Sequence, residues 1–209
     1  MNKFSLSIKG EELILLSLRA VFWPTNKILI VSDLHLGKAG HFRKHGIAVS
    51  KKVHLHDLQN LELLIKETDA ESVFFLGDLF HSYQNTEWED FLDFIHTYDE
   101  VEYILIAGNH DILTEYPRAL NVTKKIVLYP FSFTHVQEED LHYNISGHVH
   151  PGVTVRGRMR MGMTFPCFVF SEHYALLPAF GQFTGIKKIK PNKDDRVFVI
   201  GDNQIFNLP

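Results

Sequence analysis

Residues 27–35 read KILIVSDLH, an apolar run that stops abruptly at Asp-Leu-His. A continuous apolar run with a hard polar stop is the signature of a strand buried on both faces, as in the middle of a parallel sheet. The same device recurs downstream. SVFFL at 72–76 stops at Gly77-Asp78, and VEYILIA at 101–107 stops at Gly108-Asn109-His110-Asp111. A fourth run, 141–146, stops at Gly147-His148-Val149-His150. Helical patterns separate the first three. Across 53–67, Leu58, Leu61, Leu64 and Ile65 recur at helical spacing. Thr86 can cap a second helix, with acids in its first turn and Trp88, Phe91, Leu92 and Ile95 on one face.

Outward from this alternation, 4–8 and 12–18 read as a hairpin around Lys9-Gly10-Glu11. Beyond Lys125 the texture changes to strands with short connections, at 126–134, 141–146, 153–161, 166–171, 173–177 and 196–200. Alternating strand and helix followed by a run of strands predicts an α/β fold: a two-sheet β-sandwich flanked by helices. With no repeat, low-complexity tract or linker in 209 residues, the expectation is a single domain over 1–209.

Composition narrows the function class. Hydrophobic residues are 45% and charged residues 22%, ordinary for a globular protein. No run of 18 apolar residues predicts a membrane span, and MNKFSLSIKGEELILL is too interrupted by charge for a signal peptide. The single cysteine, Cys167, excludes an internal disulfide, so a reducing compartment, the cytoplasm, is expected. A net charge of -4 argues mildly against a nucleic-acid binder, but bound divalent cations would reverse that locally.

The strand ends carry the chemistry. In α/β sheets, sites assemble at the carboxyl ends of strands. Here four ends present Asp33 and His35, Asp78, Asn109, and His148 with His150. Two residues apart in extended chain, Asp33 and His35 would face one side, as would His148 and His150. Carboxylate, imidazole and amide donors without thiolate suit Mn, Fe, Zn, Co or Ni. A pair of such ions ~3.5–4 Å apart can activate a water and clamp a phosphoryl group. One further histidine completes the set. His135 closes the run FSFT as the other candidates close theirs, whereas His142 opens the strand that ends at His148. Six residues of strand span about 20 Å, too far for both ends to reach one ion pair, so His135 is preferred.

The series DLH, GD, GNHD, a lone His and GHVH resembles the calcineurin-like metallophosphoesterase superfamily over most of the chain. The resemblance implies a four-layer αββα fold and two divalent ions, manganese first. It implies that Asp33, His35 and His150 hold one ion, Asn109, His135 and His148 the other, and Asp78 both. His110 would contact the phosphate and protonate the leaving oxygen, with Asp111 orienting it, while a metal-bridged hydroxide attacks in line. A member that had become a mere scaffold would lack ligands or the GNHD histidine; here every position holds a competent residue type.

Within the superfamily, DLHLGKAGHFRKHGI, FLGDLFHS, GHVHP, PCF and LPAFGQFTG resemble the bacterial ligase-associated DNA-damage-response metallophosphoesterases. That likeness implies a phosphodiesterase acting as a DNA endonuclease in repair, associated with a DNA ligase, a helicase and an exonuclease. It leaves open a small-molecule phosphoesterase acting on a nucleotide or a lipid pyrophosphate. One departure is Ile186, where the family pattern has a second glycine after Gly185. Lys38, His41 and Arg43, in the run after the first ligand loop, are candidates for substrate phosphates. His81 either faces the substrate or starts a helix in water. Arg156, Arg158 and Arg160 alternate on one strand face, either solvated or a rail for a nucleic-acid backbone. Lys187, Lys188, Lys190 and Lys193 read as a polar loop, and Cys167 as a buried thiol. Oligomers are common in the superfamily, but no interface is readable here.

Overall fold

The computed structural model describes residues 1–38, 53–80, 86–112, 116–156 and 162–208. The hairpin β1 (Lys3–Ile8) and β2 (Glu11–Leu16) leads into β3 (Ala20–Trp23), a 3₁₀ turn at Pro24–Asn26, and β4 (Ile28–Val31). Helix α1 (Val53–Thr68) connects to β5 (Ser72–Phe75), and α2 (Thr86–Thr97) connects that to β6 (Glu102–Ile106) and β7 (Leu120–Thr123). These strands form one sheet in chain order, antiparallel from β1 to β4 and parallel from β4 to β7.

The second sheet takes the rest: β8 (Ile126–Leu128), β9 (Phe131–Thr134), β10 (Tyr143–Ser146), β11 (Pro151–Arg156), β12 (Gly162–Phe170), β13 (Tyr174–Leu176) and β14 (Lys187–Lys188). Its order is β14-β11-β12-β13-β10-β9-β8, with β15 (Arg196–Gly201) on β12 and β16 (Gln204–Asn207) on β15. Parallel and antiparallel pairs are mixed. The α/β sandwich expected from the sequence is the fold observed.

The apolar runs are continuous because both strand faces are covered. In β4, Leu29 and Val31 meet the α1 and α2 side chains Leu58, Leu61, Phe91 and Ile95, while Ile28 and Ile30 face the second sheet. Val73 and Phe75 of β5 likewise face the helices, and Phe74 and Leu76 face Phe131 and Phe133. A third cluster lies on the outer face of the second sheet, with Val153, Cys167, Val169, Val197 and Val199. Among the described residues this face is covered by chain segments around Val149, Ile189 and Leu208 and by no helix. Cys167 is fully buried there, and burial pushes its thiol up to about 12, a packing role.

Several details differ from the expectation. The run 126–134 is two antiparallel strands, since Pro130 has no N–H for the ladder and the chain reverses at Tyr129-Pro130. β3, β7, β14 and β16 have no counterpart in the sequence pattern: each is at most four residues, too short to show a period. The lysine segment expected as loop supplies β14, which pairs with β11 in parallel. No described helix is long and apolar enough to cross a membrane.

Candidate metal centre

The β4–β5 ladder does not end where the strands end. Asp33 N–H donates to the Gly77 carbonyl at 3.1 Å, His35 N–H to Asp78 at 2.9 Å and Leu36 N–H to Leu79 at 2.8 Å. The DLH and GD loops are thus zipped side by side, and Leu36 pairs with Phe80 as an isolated bridge. In the second sheet, Gly147 N–H donates to the His135 carbonyl at 3.1 Å, tying the ends of β9 and β10 in the same way. Two bonds then cross between sheets. His148 N–H donates to Asp33 Oδ2 at 2.9 Å, and the His135 Nδ1–H donates to the Leu76 carbonyl at 2.9 Å.

The local backbone corrects the extended-chain argument for side-chain direction. Asp33, His35, Asp78, His148 and His150 all have positive φ, between 49° and 65°. Left-handed residues turn the chain sharply, so the two side chains of each D-x-H or H-x-H pair converge through a bend and not through strand alternation. Asp and His are among the residues that tolerate this region, and such clusters of strain mark functional sites. Gly77 also has positive φ, +76°, and a Cβ there would fall inside the His135 ring. At Gly147 the constraint is space alone, because a Cβ would sit 2.5 Å from Asp33 Oδ2.

Six side chains meet in two groups. Asp33, His35 and His150 present donor atoms within 4.8 Å of one another, as do Asp78, His135 and His148. Asp78 reaches both: Oδ2 lies 3.8 Å from His35 Nε2 and Oδ1 lies 3.4 Å from His135 Nε2. His150 Nε2 is 3.1 Å from Asp33 Oδ1, and His148 Nδ1 is 3.0 Å from His135 Nε2. Neighbouring donors on an octahedron with ~2.1 Å bonds lie ~3.0 Å apart, and on a tetrahedron ~3.4 Å, so the 3.0, 3.1 and 3.4 Å separations fit coordination edges, while the 3.8 Å one is longer than either. Asp33 Oδ1 and His150 Nε2 are buried, yet neither makes a hydrogen bond. Two buried polar atoms that face each other at 3.1 Å without a hydrogen bond are a place a cation would satisfy. Donation of His135 Nδ1–H to a carbonyl leaves Nε2 as the donor to an ion, a common outer support of a ligating imidazole. Burial and the neighbouring His135 hold the His148 ring below its ordinary basicity, which favours the neutral form that ligates.

The remaining candidates divide. Asn109 lies exposed in the turn after β6, and that turn runs against Asp78, whose Oδ1 accepts the His110 N–H at 2.9 Å. The His110 ring stands 5.5 Å from the His35 ring, edge to face, at the mouth of the first group. Asp111 is placed differently from the expectation that it aligns His110. Its buried carboxylate accepts backbone N–H groups, Phe80 at 3.0 Å on Oδ1 and Gly108 at 2.8 Å on Oδ2, and so fastens the GNHD turn to the GD loop. Lys38 is half-buried; burial pulls its amine below the usual lysine range, against the pull of the nearby Asp78 and Asp33 carboxylates. His142 lies apart, bonded to Asp140 at 3.1 Å. His41, Arg43 and His81, with Arg158 and Arg160, fall outside the described residues.

Sequence reasoning missed the residues that support the loops. Glu87, almost wholly buried in the first turn of α2, accepts the Gly37 N–H at 2.5 Å and so pins the chain after DLH. The run LPAFGQFTG, 177–185, forms a strap beneath Asp33. Phe180 N–H donates to the Ser32 carbonyl at 2.8 Å, Gly181 N–H to that of Asp33 at 3.3 Å, and Ser32 Oγ to that of Pro178 at 3.2 Å. Leu177 N–H reaches back to Ser146 in the second sheet at 2.8 Å. The strap is in turn held by α1, where buried Asp57 accepts the Gln182 N–H at 3.3 Å, and by Arg19, which donates to the Ala179 carbonyl at 3.3 Å. Burial pushes the Asp57 carboxyl up to about 7, with the Gln182 bond and Arg19 opposing. The acids at the head of α2 and the motif itself were the only sequence signals of this support.

Residues 26–158 match the family model of calcineurin-like phosphoesterases. Among solved structures, the crystal structure of Pseudomonas putida nuclease MPE is similar at 30% identity and a TM-score of 0.84, over 99% of this chain and 100% of that one. Yfce, a phosphoesterase from E. coli, is similar at 14% identity and a TM-score of 0.45, over 87% of this chain and 97% of that one. No curated protein matches the chain.

Proposed function

Because this chain belongs to the calcineurin-like phosphoesterase family, we propose that it is a two-metal phosphodiesterase that cleaves DNA as an endonuclease in repair. The observation that carries the reading is the pair of donor groups sharing Asp78, on a chain similar end to end to a nuclease. Asp33, His35 and His150 would hold one ion, Asn109, His135 and His148 the other, and Asp78 would be shared between them. The donor set is carboxylate, amide and imidazole, which suits manganese first and Fe, Zn, Co or Ni as alternatives.

Bound there, the ions supply Lewis acidity toward a water and toward the phosphoryl oxygens. The chain's own residues do the rest. His110, at the mouth of the first group, contacts the phosphate and holds a proton for the leaving oxygen. Asp111 positions His110 through the backbone, by fixing the Gly108 and Phe80 amides. Lys38 adds a positive charge at the rim for the substrate backbone. The whole chain acts as one domain in the cytoplasm. A ligase, a helicase and an exonuclease are its functional associates, a reading that rests on the family motifs alone.

The test is Mn²⁺-dependent cleavage of circular single-stranded DNA, with His148→Ala alongside. Linearisation by the wild type and none by the variant is the expected result. Equal cleavage by both, or none by either while a small activated phosphodiester is still hydrolysed, overturns the assignment.

A further inference from the structure

Outside the metal centre, cations collect around a groove on the described surface. It lies over the outer face of the second sheet and has a volume of about 640 Å³. Val153 and Val197 form its buried floor, while exposed Arg156, Lys188, Lys190 and Lys193 stand around it. Four cations face one carboxylate, Asp195, whose Oδ2 already accepts the Asn192 N–H at 2.7 Å. On a chain of net charge -4 that concentration is selective. None of the four cations has a carboxylate within 4.0 Å among the described residues, so their charge is directed at solvent and at whatever enters.

Its position relative to the site is fixed by the fold. β11 begins directly after His150, and β14 lies parallel to it with Pro151 opposite Lys187. Lys187 N–H donates to the His150 carbonyl at 2.9 Å. Both cation-bearing segments therefore start at the metal centre and lead away from it in the same direction. From His150 to Arg156 is about 20 Å of strand, on the order of six phosphates along one strand of a duplex at 3.4 Å each, and fewer of an extended single strand. Among the described residues that line it there is no aromatic side chain to stack bases.

We propose that this groove is the docking track for the phosphodiester backbone of a nucleic-acid substrate, leading the strand into the metal centre. The inference rests on the phosphodiesterase reading above. The contact is electrostatic and sequence-independent, so affinity carries counterion release and falls steeply with salt. Small phosphodiesters, too short to span the metal centre and the groove together, gain nothing from it.

The test is equilibrium binding of a phosphorothioate single-stranded oligonucleotide to the Mn²⁺-loaded protein across a salt series. The wild type is compared with Lys188→Ala/Lys190→Ala/Lys193→Ala and with the triple Lys→Arg variant. All three lysines are exposed, and melting temperature and metal content check that the fold persists. Expected for the alanine variant are affinity at least about tenfold weaker and a log–log salt slope shallower by ~2, about 0.7 for each lost contact. The arginine variant should keep both. An unchanged slope and affinity in the alanine variant, with wild-type DNA cleavage intact, overturn the groove and leave the nuclease reading standing. Failure of the wild type to bind the oligonucleotide, with hydrolysis of a small activated diester preserved, overturns both.

Discussion

Asp57→Asn is expected to stabilise the protein above neutrality and to do nothing below about pH 4. The carboxyl is 4% exposed, and burial, opposed by the Gln182 N–H and by Arg19, carries it from 3.8 to about 7. In the unfolded chain it returns to about 3.9. Between those values the folded state holds a proton that the unfolded state has released. Stability therefore falls as pH rises through this window, and the loss is complete above the folded value. At 1.36 kcal/mol for each pH unit of difference, a shift of about 3 amounts to about 4 kcal/mol. Asparagine has no proton to lose and keeps an oxygen for the Gln182 N–H, so it escapes the penalty. For a chain of this size the gain corresponds to a rise in melting temperature of roughly 8–16 °C. Thermal melts of wild type and variant, at matched saturating Mn²⁺ from pH 4 to pH 8, measure it as a difference. The pH dependence of metal binding is common to both proteins and cancels. A variant that is destabilised, and by more at pH 8 than at pH 4.5, would refute the reasoning: Asp57 would then be ionised in the fold and stabilised by Arg19.

Three further outcomes test the site itself. Asp78→Asn should weaken both ion sites together, because each carboxylate oxygen faces a different donor group; elemental analysis showing loss from only one site would contradict a bridge. His110→Ala should lower turnover by about 10²–10⁴-fold, the usual worth of a positioned proton donor, with metal content retained. Loss of metal in that variant would make the residue structural. Gly77→Ala should cost roughly 1–3 kcal/mol from its φ of +76° alone and should reduce metal uptake by displacing the His135 ring; unaltered melting and metal content would show that the GD turn can relax.

Much of the framework was legible because it rests on patterns a sequence displays directly. β4, β5 and β6 are covered on both faces, so they read as unbroken apolar runs whose polar stops mark the strand ends. Asp33, His35 and Asp78 follow the stops of β4 and β5, His135, His148 and His150 follow the ends of β9 and β10, and these six come together in the fold; the seventh proposed ligand, Asn109, sits in the turn after β6 that touches Asp78. What was illegible depends on contacts between distant residues. Asp57 and Gln182 are 125 positions apart, and Glu87 and Gly37 are 50 apart, with nothing local to announce either pair. The left-handed turns leave no mark in residue spacing, which implies extended chain where five of the ligand candidates bend it. Asp111 beside His110 reads as a partner of the ring, whereas its hydrogen bonds run to the Phe80 and Gly108 backbone.

The turns and the strap explain each other. Five left-handed non-glycine residues at one site cost of order 1 kcal/mol or more each, and two buried carboxylates add repulsion and desolvation. Strain of that size persists only where the surroundings over-determine the backbone. At Asp33 they do: its N–H is held by Gly77, its carbonyl takes the Gly181 N–H and the Thr184 hydroxyl at 3.4 Å, and its Oδ2 takes the His148 N–H. Three separate chain segments from two sheets thus fix one residue before any ion arrives. The one acceptor of Asp33 without a partner, Oδ1, is the atom that faces His150. A carboxylate whose backbone and second oxygen are all occupied cannot swing away to relieve its unpaired atom. The geometry is therefore set before any ion, with the unpaired atom held where a cation would satisfy it.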